Sequence, residues 1–138
     1  MAATNTGNQF AFRLDLKSGV PFYRQIMDQV LGGVASGALG ASDQLPTVRQ
    51  LAVDLAVNPN TVVRAYRELE IRGVLETQQG TGTFISQKKP KRDEVERERQ
   101  LNQLAADVAA RAGQAGFSLD ELIGRLREGQ LDRKERNK

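Results

Sequence analysis

Residues 45–69 read LPTVRQLAVDLAVNPNTVVRAYREL, and two helix starts stand in them. Thr47 precedes a stripe of Val48, Leu51, Ala52 and Leu55, and Gln50 follows it by three residues, the spacing of a capping box. Asn58 is an N-cap residue by type, and Pro59 suits the first helical position, where its missing N–H costs nothing. Val62, Tyr66 and Leu69 then recur at i, i+4 and i+7, the period of a helix face turned to a core. Between the stripes lies a tight connection around Ala56, Val57 and Asn58. Arg49 and Gln50 are left facing out on the first helix, and Asn60, Thr61, Arg64 and Arg67 on the second. Two helices across a tight turn, the second bearing amide, hydroxyl and guanidinium groups on its free face, make a helix-turn-helix.

The flanks complete the domain. Upstream, AFRLDL (11–16) alternates apolar and polar, a short strand pattern, and KSGVP turns the chain. Pro21 suits the first position of another helix, with Ile26, Val30 and Val34 on one stripe and Met27 and Leu31 beside it. Gly32 and Gly33 inside that helix cost about 1 kcal/mol each relative to Ala, which the close approach of a neighbouring helix would explain. Downstream, Gly73 ends the 59–72 helix at the position after its cap. Val74–Thr77 and Thr83–Ser86 then flank Gln78, Gln79, Gly80, Thr81 and Gly82, which reads as a hairpin. Three helices and a hairpin over residues 10–86 are a winged helix-turn-helix, mainly α with a small β wing. Residues 1–9, MAATNTGNQ, read as a disordered lead-in.

Beyond the wing, QKKPKR (87–92) is a basic linker. A long helix is expected over 93–113, with Val95, Leu101, Leu104, Ala105, Val108 and Ala112 on a broad stripe. Gly113 and Gly116 bracket a turn, and SLDELIGRLREG follows as a second helix, with Ser118 and Glu121 as its capping box. Residues 130–138 read as a frayed tail. A helical hairpin of 93–129 cannot bury such stripes alone. A second copy related by a two-fold axis is the simplest cover. It would use Leu101, Leu104, Val108, Leu119, Leu122, Ile123 and Leu126 in a C-terminal dimerisation hairpin. The alternative is that the stripes pack on the chain's own first helix, where Gly32 and Gly33 permit it.

Composition excludes much. The 138 residues hold no Cys and no His. Thiol nucleophiles, Ser-His-Asp triads, His acid–base chemistry and His- or Cys-ligated zinc are all removed. An enzyme, a cofactor and a metal site are therefore not expected. No window approaches the ~18 apolar residues of a membrane span, and the N-terminus has no basic or apolar segment of a signal peptide. No membrane association is expected, and the cytoplasm is the expected compartment. Residues 1–92 carry 11 Lys/Arg against 7 Asp/Glu, and residues 93–138 carry 9 against 10. The basic front half suits a polyanion. Two helices give too few walls for an evident effector pocket, which leaves a small molecule between subunits, a partner protein or no effector at all as the routes to regulation.

Double-stranded DNA is the expected partner. A helix-turn-helix sends the N-terminus of its second helix into the major groove, which brings Asn60, Thr61 and Arg64 to base edges. Arg pairs with guanine and Asn with adenine, each worth about 1–3 kcal/mol of discrimination. Arg49 is a further reader or phosphate clamp. Thr47 and Asn58 cap their helices and stand where free N–H groups can meet phosphate. Gln79, Gly80, Thr81 and Gly82 form a wing tip whose glycines let backbone lie close to DNA. Lys88, Lys89, Lys91 and Arg92 would add sequence-independent attraction. Blander readings stand beside these. Asn58 and Pro59 start a helix whatever else they do. Arg67 fits a solvated residue paired with Glu70, and Tyr66 fits the core better than a stacking role. The competing function is a winged-helix adaptor that binds a protein instead of DNA.

These residues resemble a known family. The run from Gln44 to Ser86 is similar to the winged-helix domain of GntR-type bacterial transcription regulators, and the likeness spans about residues 12–86. LPTVRQLA resembles that family's LPSxRxLA, and GVLETQQGTGTFI its hairpin. NPNTVVRAYREL, LDLKSGVPFYRQI and the tail GFSLDELIGRLRE look like the YtrA-type branch, whose effector region is two helices. The resemblance implies a homodimeric repressor of its own or a neighbouring operon, often a transporter operon, on a palindromic operator. It carries DNA contact to Arg49 and to the free surface of the 59–72 helix. Many relatives have Arg where this chain has Pro59 and Val63. Base-specific roles therefore do not transfer by position, and Asn60, Thr61 and Arg64 rest on helix geometry. The His-lined metal site and the large enzyme-like domains of other branches have no counterpart here.

Overall fold

The protein, seen in a computed structural model, is described over residues 2–4, 10–87 and 93–136, with side chains described from 10 to 87 and from 93 to 128. It divides into two compact units, 1–89 and 90–138. The first opens with β1 (Ala2–Thr4) antiparallel to β2 (Ala11–Arg13), so part of the lead-in expected to be disordered is paired. Then come α1 (Phe22–Ser36), β3 (Gln44–Leu45), α2 (Val48–Leu55), α3 (Pro59–Ile71), β4 (Leu75–Gln78) and β5 (Gly82–Ile85). The wing is a three-stranded antiparallel sheet in the order β3-β5-β4, and β3 is too short for a sequence pattern to announce it.

The core follows the helix periods. Ile26, Met27 and Val30 of α1, Leu51, Ala52 and Leu55 of α2, and Val62, Ala65, Tyr66 and Leu69 of α3 are buried together with Phe12, Leu39, Leu45, Leu75 and Ile85. Val48 is only partly buried. In α1 the stripe runs to Gly33 instead of Val34, which is 40% exposed. Gly33 is required, because a Cβ there would lie 2.8 Å from Phe10 and 2.9 Å from Leu39. Side chains of loop residues, not a neighbouring helix, fill that close approach, and nothing approaches Gly32. Pro21 is the N-cap of α1 and not its first residue. Phe12 and Leu14 are buried as the alternation requires, but Leu16 is exposed, because the chain has already turned.

Two glutamines of α1 hold the N-terminal strand. Gln29 accepts from the Arg13 N–H at 2.8 Å and donates to its carbonyl at 2.6 Å. Gln25 accepts from the Asp15 N–H at 2.8 Å and donates to its carbonyl at 2.9 Å. Four helical residues rise ~6 Å and two strand residues ~6.6 Å, so the two amides match alternate residues of extended chain.

The turn between α2 and α3 is closed by Ala56 in the left-handed region, φ 54°, with the Val57 N–H donating to the Ala52 carbonyl at 3.0 Å. Gly73, φ 77°, ends α3 as expected. Tyr66 is core, and its hydroxyl donates to the Pro46 carbonyl at 2.7 Å, tying α3 to the residue that leads into α2. Burial holds that hydroxyl neutral well above the ordinary phenol range. A proton kept to higher pH in the fold than in the unfolded chain contributes stability that is whole below the ordinary value, about 10, and is lost as pH rises through and beyond it. Tyr66→Phe is expected to cost about 1–2 kcal/mol at neutral pH through the lost hydrogen bond. It should also flatten the fall in stability above pH about 10, and urea midpoints across that range measure both effects.

The second unit is α4 (Glu94–Gln114) and α5 (Leu119–Arg136). Asp93 caps α4 by accepting from the Val95 and Glu96 N–H groups, and Glu94 and Glu96 complement the helix dipole in the first turn. Gly113 lies inside α4, and Gly116, φ 84°, alone makes the turn. The capping box of α5 is complete, with Ser118 N–H donating to Glu121 at 2.7 Å and Glu121 N–H to Ser118 Oγ at 3.2 Å. The helix continues to Arg136 through residues expected to fray, whose Arg, Lys, Glu, Gln and Leu are strong helix formers. Among the described side chains of this unit Ala112 is buried and Val108 and Leu122 half-buried, while Leu101, Leu104, Leu119, Ile123 and Leu126 are 41–64% exposed.

Candidate nucleic-acid interface

The outward face of α3 is built from its start. Asn58 Oδ1 accepts from the Asn60 N–H at 2.9 Å, so Asn58 is a true cap, with Pro59 at the first helical position. That cap points Asn60 and Arg64 to solvent and leaves Thr61 half-buried. Asn58, Asn60, Thr61 and Arg64 line one shallow cleft of about 390 Å³ with Pro21, Phe22 and Tyr23 at the start of α1. Asn60 and Arg64 also border a second groove of about 450 Å³, with Val63, Arg67 and Glu68 on its other side. Arg64 does not extend freely from the helix. Its guanidinium carbon sits 3.7 Å over the centre of the Tyr23 ring.

On α2, Thr47 Oγ1 accepts from the Gln50 N–H at 3.0 Å. The reciprocal half of the capping box is missing, because the Gln50 amide donates instead to Asp54 at 2.7 Å. Arg49 is exposed in the first turn, and neither α2 nor α3 carries an acidic residue in its first turn. Both helices therefore present undiminished positive ends. Glu70 is engaged by the Thr77 hydroxyl at 2.6 Å, which ties α3 to the wing and takes Glu70 away from the expected pairing with Arg67.

The wing turn is tighter than expected, since Gln78 and Gly82 already pair across the strands and only Gln79, Gly80 and Thr81 form the tip. The Thr81 N–H donates to the Gln78 carbonyl at 3.0 Å. The Gln44 amide of β3 donates to the Thr81 carbonyl at 3.2 Å and braces the tip from below. Gly82, φ 137°, adopts a backbone conformation that other residues rarely reach, and a Cβ there would lie 2.6 Å from the Gln44 amide nitrogen. Gly80, φ 76°, is open on all sides. Gly82→Ala is expected to cost about 1–3 kcal/mol and Gly80→Asn only a few tenths, about 0.5 at most, in chemical denaturation. Equal costs would show that the backbone conformation at Gly82 carries no special penalty.

A model of bacterial regulatory proteins, gntR family, matches residues 22–85. Over 125 residues the chain is 38% identical to the HTH-type transcriptional repressor YtrA of Bacillus subtilis, covering 87% of this chain and 92% of that protein. The chain belongs to the gntR family. It is a transcriptional regulator of the YtrA type, and a likeness over 87% of the chain extends beyond the winged-helix domain into α4. This gntR regulator is also 51% identical over 78 residues to the HTH-type transcriptional regulator Rv1152 of Mycobacterium tuberculosis. That match takes in 56% of the chain and 64% of that relative's length, just under two thirds. Among solved structures, a transcriptional antiterminator from Listeria monocytogenes superposes with a TM-score of 0.63 at 29% identity, over 88% of this chain and 91% of its own.

In the gntR regulator the α3 residues named from sequence come together, whereas Arg49 and the wing tip line neither cleft beside them. Lys88, Lys89, Lys91 and Arg92 lie outside the described residues. Sequence reasoning missed Tyr23 and Gln44. Tyr23 sits three and four residues before Ile26 and Met27, so its spacing says core, and only the fold shows its ring beneath Arg64. Among the described residues no group of three His, Cys, Asp or Glu is placed to hold a metal, and no helix is long and apolar enough to cross a membrane.

Proposed function

We propose that this regulator is a homodimeric repressor that reads a palindromic operator with Asn60, Thr61 and Arg64. The observation that carries the reading is the grouping of these side chains on the exposed opening turns of α3, at a helix end free of acidic residues. Amide and guanidinium groups there can make the paired hydrogen bonds that distinguish adenine and guanine. Arg49, Thr47, Asn58 and the wing tip Gln79 to Gly82 then lie along sugar and phosphate. The partner is double-stranded DNA in the cytoplasm, upstream of the protein's own or an adjoining operon, a transporter operon on the YtrA-type likeness. A mobility shift on the gene's own upstream DNA tests this. Retardation of that duplex at salt that releases random DNA is expected, and equal retardation of both would sink it.

The second unit supplies the dimer. Its apolar stripes are largely uncovered by the unit's own two helices, and an open cleft of about 630 Å³ between α4 and α5 is walled by Val108, Ala112, Phe117 and Leu122. A second copy related by a two-fold axis covers these stripes with the same residues. It sets two α3 helices one DNA turn apart, about 34–36 Å, or a multiple of it. An effector held between the two copies would act by changing that spacing.

A further inference from the structure

With α3 as the DNA-reading helix proposed above, the Arg64–Tyr23 stack bears directly on how the operator is read. We infer, resting on that DNA-binding role, that Tyr23 is a positioning residue for base recognition: its ring holds the Arg64 guanidinium flat beside Asn60 and Thr61, ready to meet a base. A stacked guanidinium uses its face and keeps its in-plane N–H donors for an acceptor pair. Among the described residues the ion pairs engage Arg24, Arg97, Arg99 and Arg125, and none of them engages Arg64. The platform itself is firm. Tyr23 is half-buried against the core on the same helix face as Ile26, Met27 and Val30. A long side chain fixed before binding loses less freedom on binding. Arg64 borders both grooves beside α3, so the direction in which Tyr23 holds it decides which donors meet the duplex.

Two measurements test this. In the free parent protein, NMR should show Arg64 side-chain protons shifted upfield by the Tyr23 ring, and Tyr23→Leu should remove the shift. An unshifted Arg64 overturns the inference without reference to DNA. With operator and random duplexes, Tyr23→Leu should lower the preference for operator by about two- to thirty-fold per half-site with an unchanged salt slope, because no phosphate contact is lost. Tyr23→Phe, which keeps the ring, should stay within about two-fold of the parent. Arg64→Ala should cost much less in the Tyr23→Leu background than alone. Three results overturn the proposal: a loss in Tyr23→Phe equal to that in Tyr23→Leu, strict additivity with Arg64→Ala, or tighter operator binding by Tyr23→Leu, which would make the stack a holster. A shifted Arg64 in a parent protein that shows no operator preference would instead sink the operator reading.

Discussion

Arg64→Ala is expected to lower operator affinity by about 1–3 kcal/mol per half-site, or about 2–6 kcal/mol in a symmetric dimer, and to leave random duplex almost untouched. The asymmetry follows from position. Arg64 stands one turn into α3 with Asn60 and Thr61, its guanidinium already held on Tyr23, so its loss removes a preordered donor pair. Arg49 makes a useful contrast. It is a cation in the first turn of α2, the end where the helix dipole disfavours positive charge by about 0.3–1 kcal/mol. The fold gains nothing from it there, and a nearby phosphate would offset the cost. Arg49→Ala should therefore raise the urea midpoint slightly while weakening operator and random DNA together, with a shallower salt slope. Titrations of both duplexes at several salt concentrations separate the two arginines. A loss for Arg64→Ala shared equally by operator and random DNA would refute base reading.

Much of this was legible because caps and stripes are local. Thr47, Asn58 and the Ser118–Glu121 pair announce their helices within four residues, and Val62, Tyr66 and Leu69 announce a face within two turns. What was not legible depends on partners distant in sequence. The two residues of β3 carry no period of their own and exist by pairing with Phe84 and Thr83. Gln25 and Gln29 look like solvated helix residues until the extended chain from Arg13 to Asp15 lies against them. The wing shifted by one residue because Gly82, apparently a turn glycine, enters the ladder opposite Gln78. Gly113 failed as a boundary for the opposite reason. A single glycine costs a helix about 1 kcal/mol, and α4, with its capped first turn, carries that cost and ends one residue later. On α3, helix geometry turned Asn60 and Arg64 outward as expected and left Thr61 half-buried, but it could not show that the Arg64 guanidinium lies over an aromatic ring forty-one residues upstream.

The largest effect should come from a site that touches no DNA. Ile123→Glu with Leu126→Glu is expected to give a folded monomer whose operator affinity is lower by about 10²–10⁴-fold. Ile123 is 41% and Leu126 64% exposed in the single chain. Charges there meet water in a monomer and cost the isolated fold little. In a dimer built on these stripes each substitution is met again across the two-fold axis, so four carboxylates are brought into an apolar seam. Association is lost, and with it the effective concentration that lets a second α3 bind once the first is seated. Random-duplex binding per monomer should hardly change, because α2, α3 and the wing belong to the other unit. Sedimentation equilibrium at micromolar concentration gives the first reading, a dimer for the parent and a monomer for the variant. Far-UV circular dichroism and the urea midpoint give the second, near the parent's. A parent that sediments as a monomer, or a variant that remains dimeric with operator affinity intact, would remove α4 and α5 from dimerisation and force another account of how two half-sites are read.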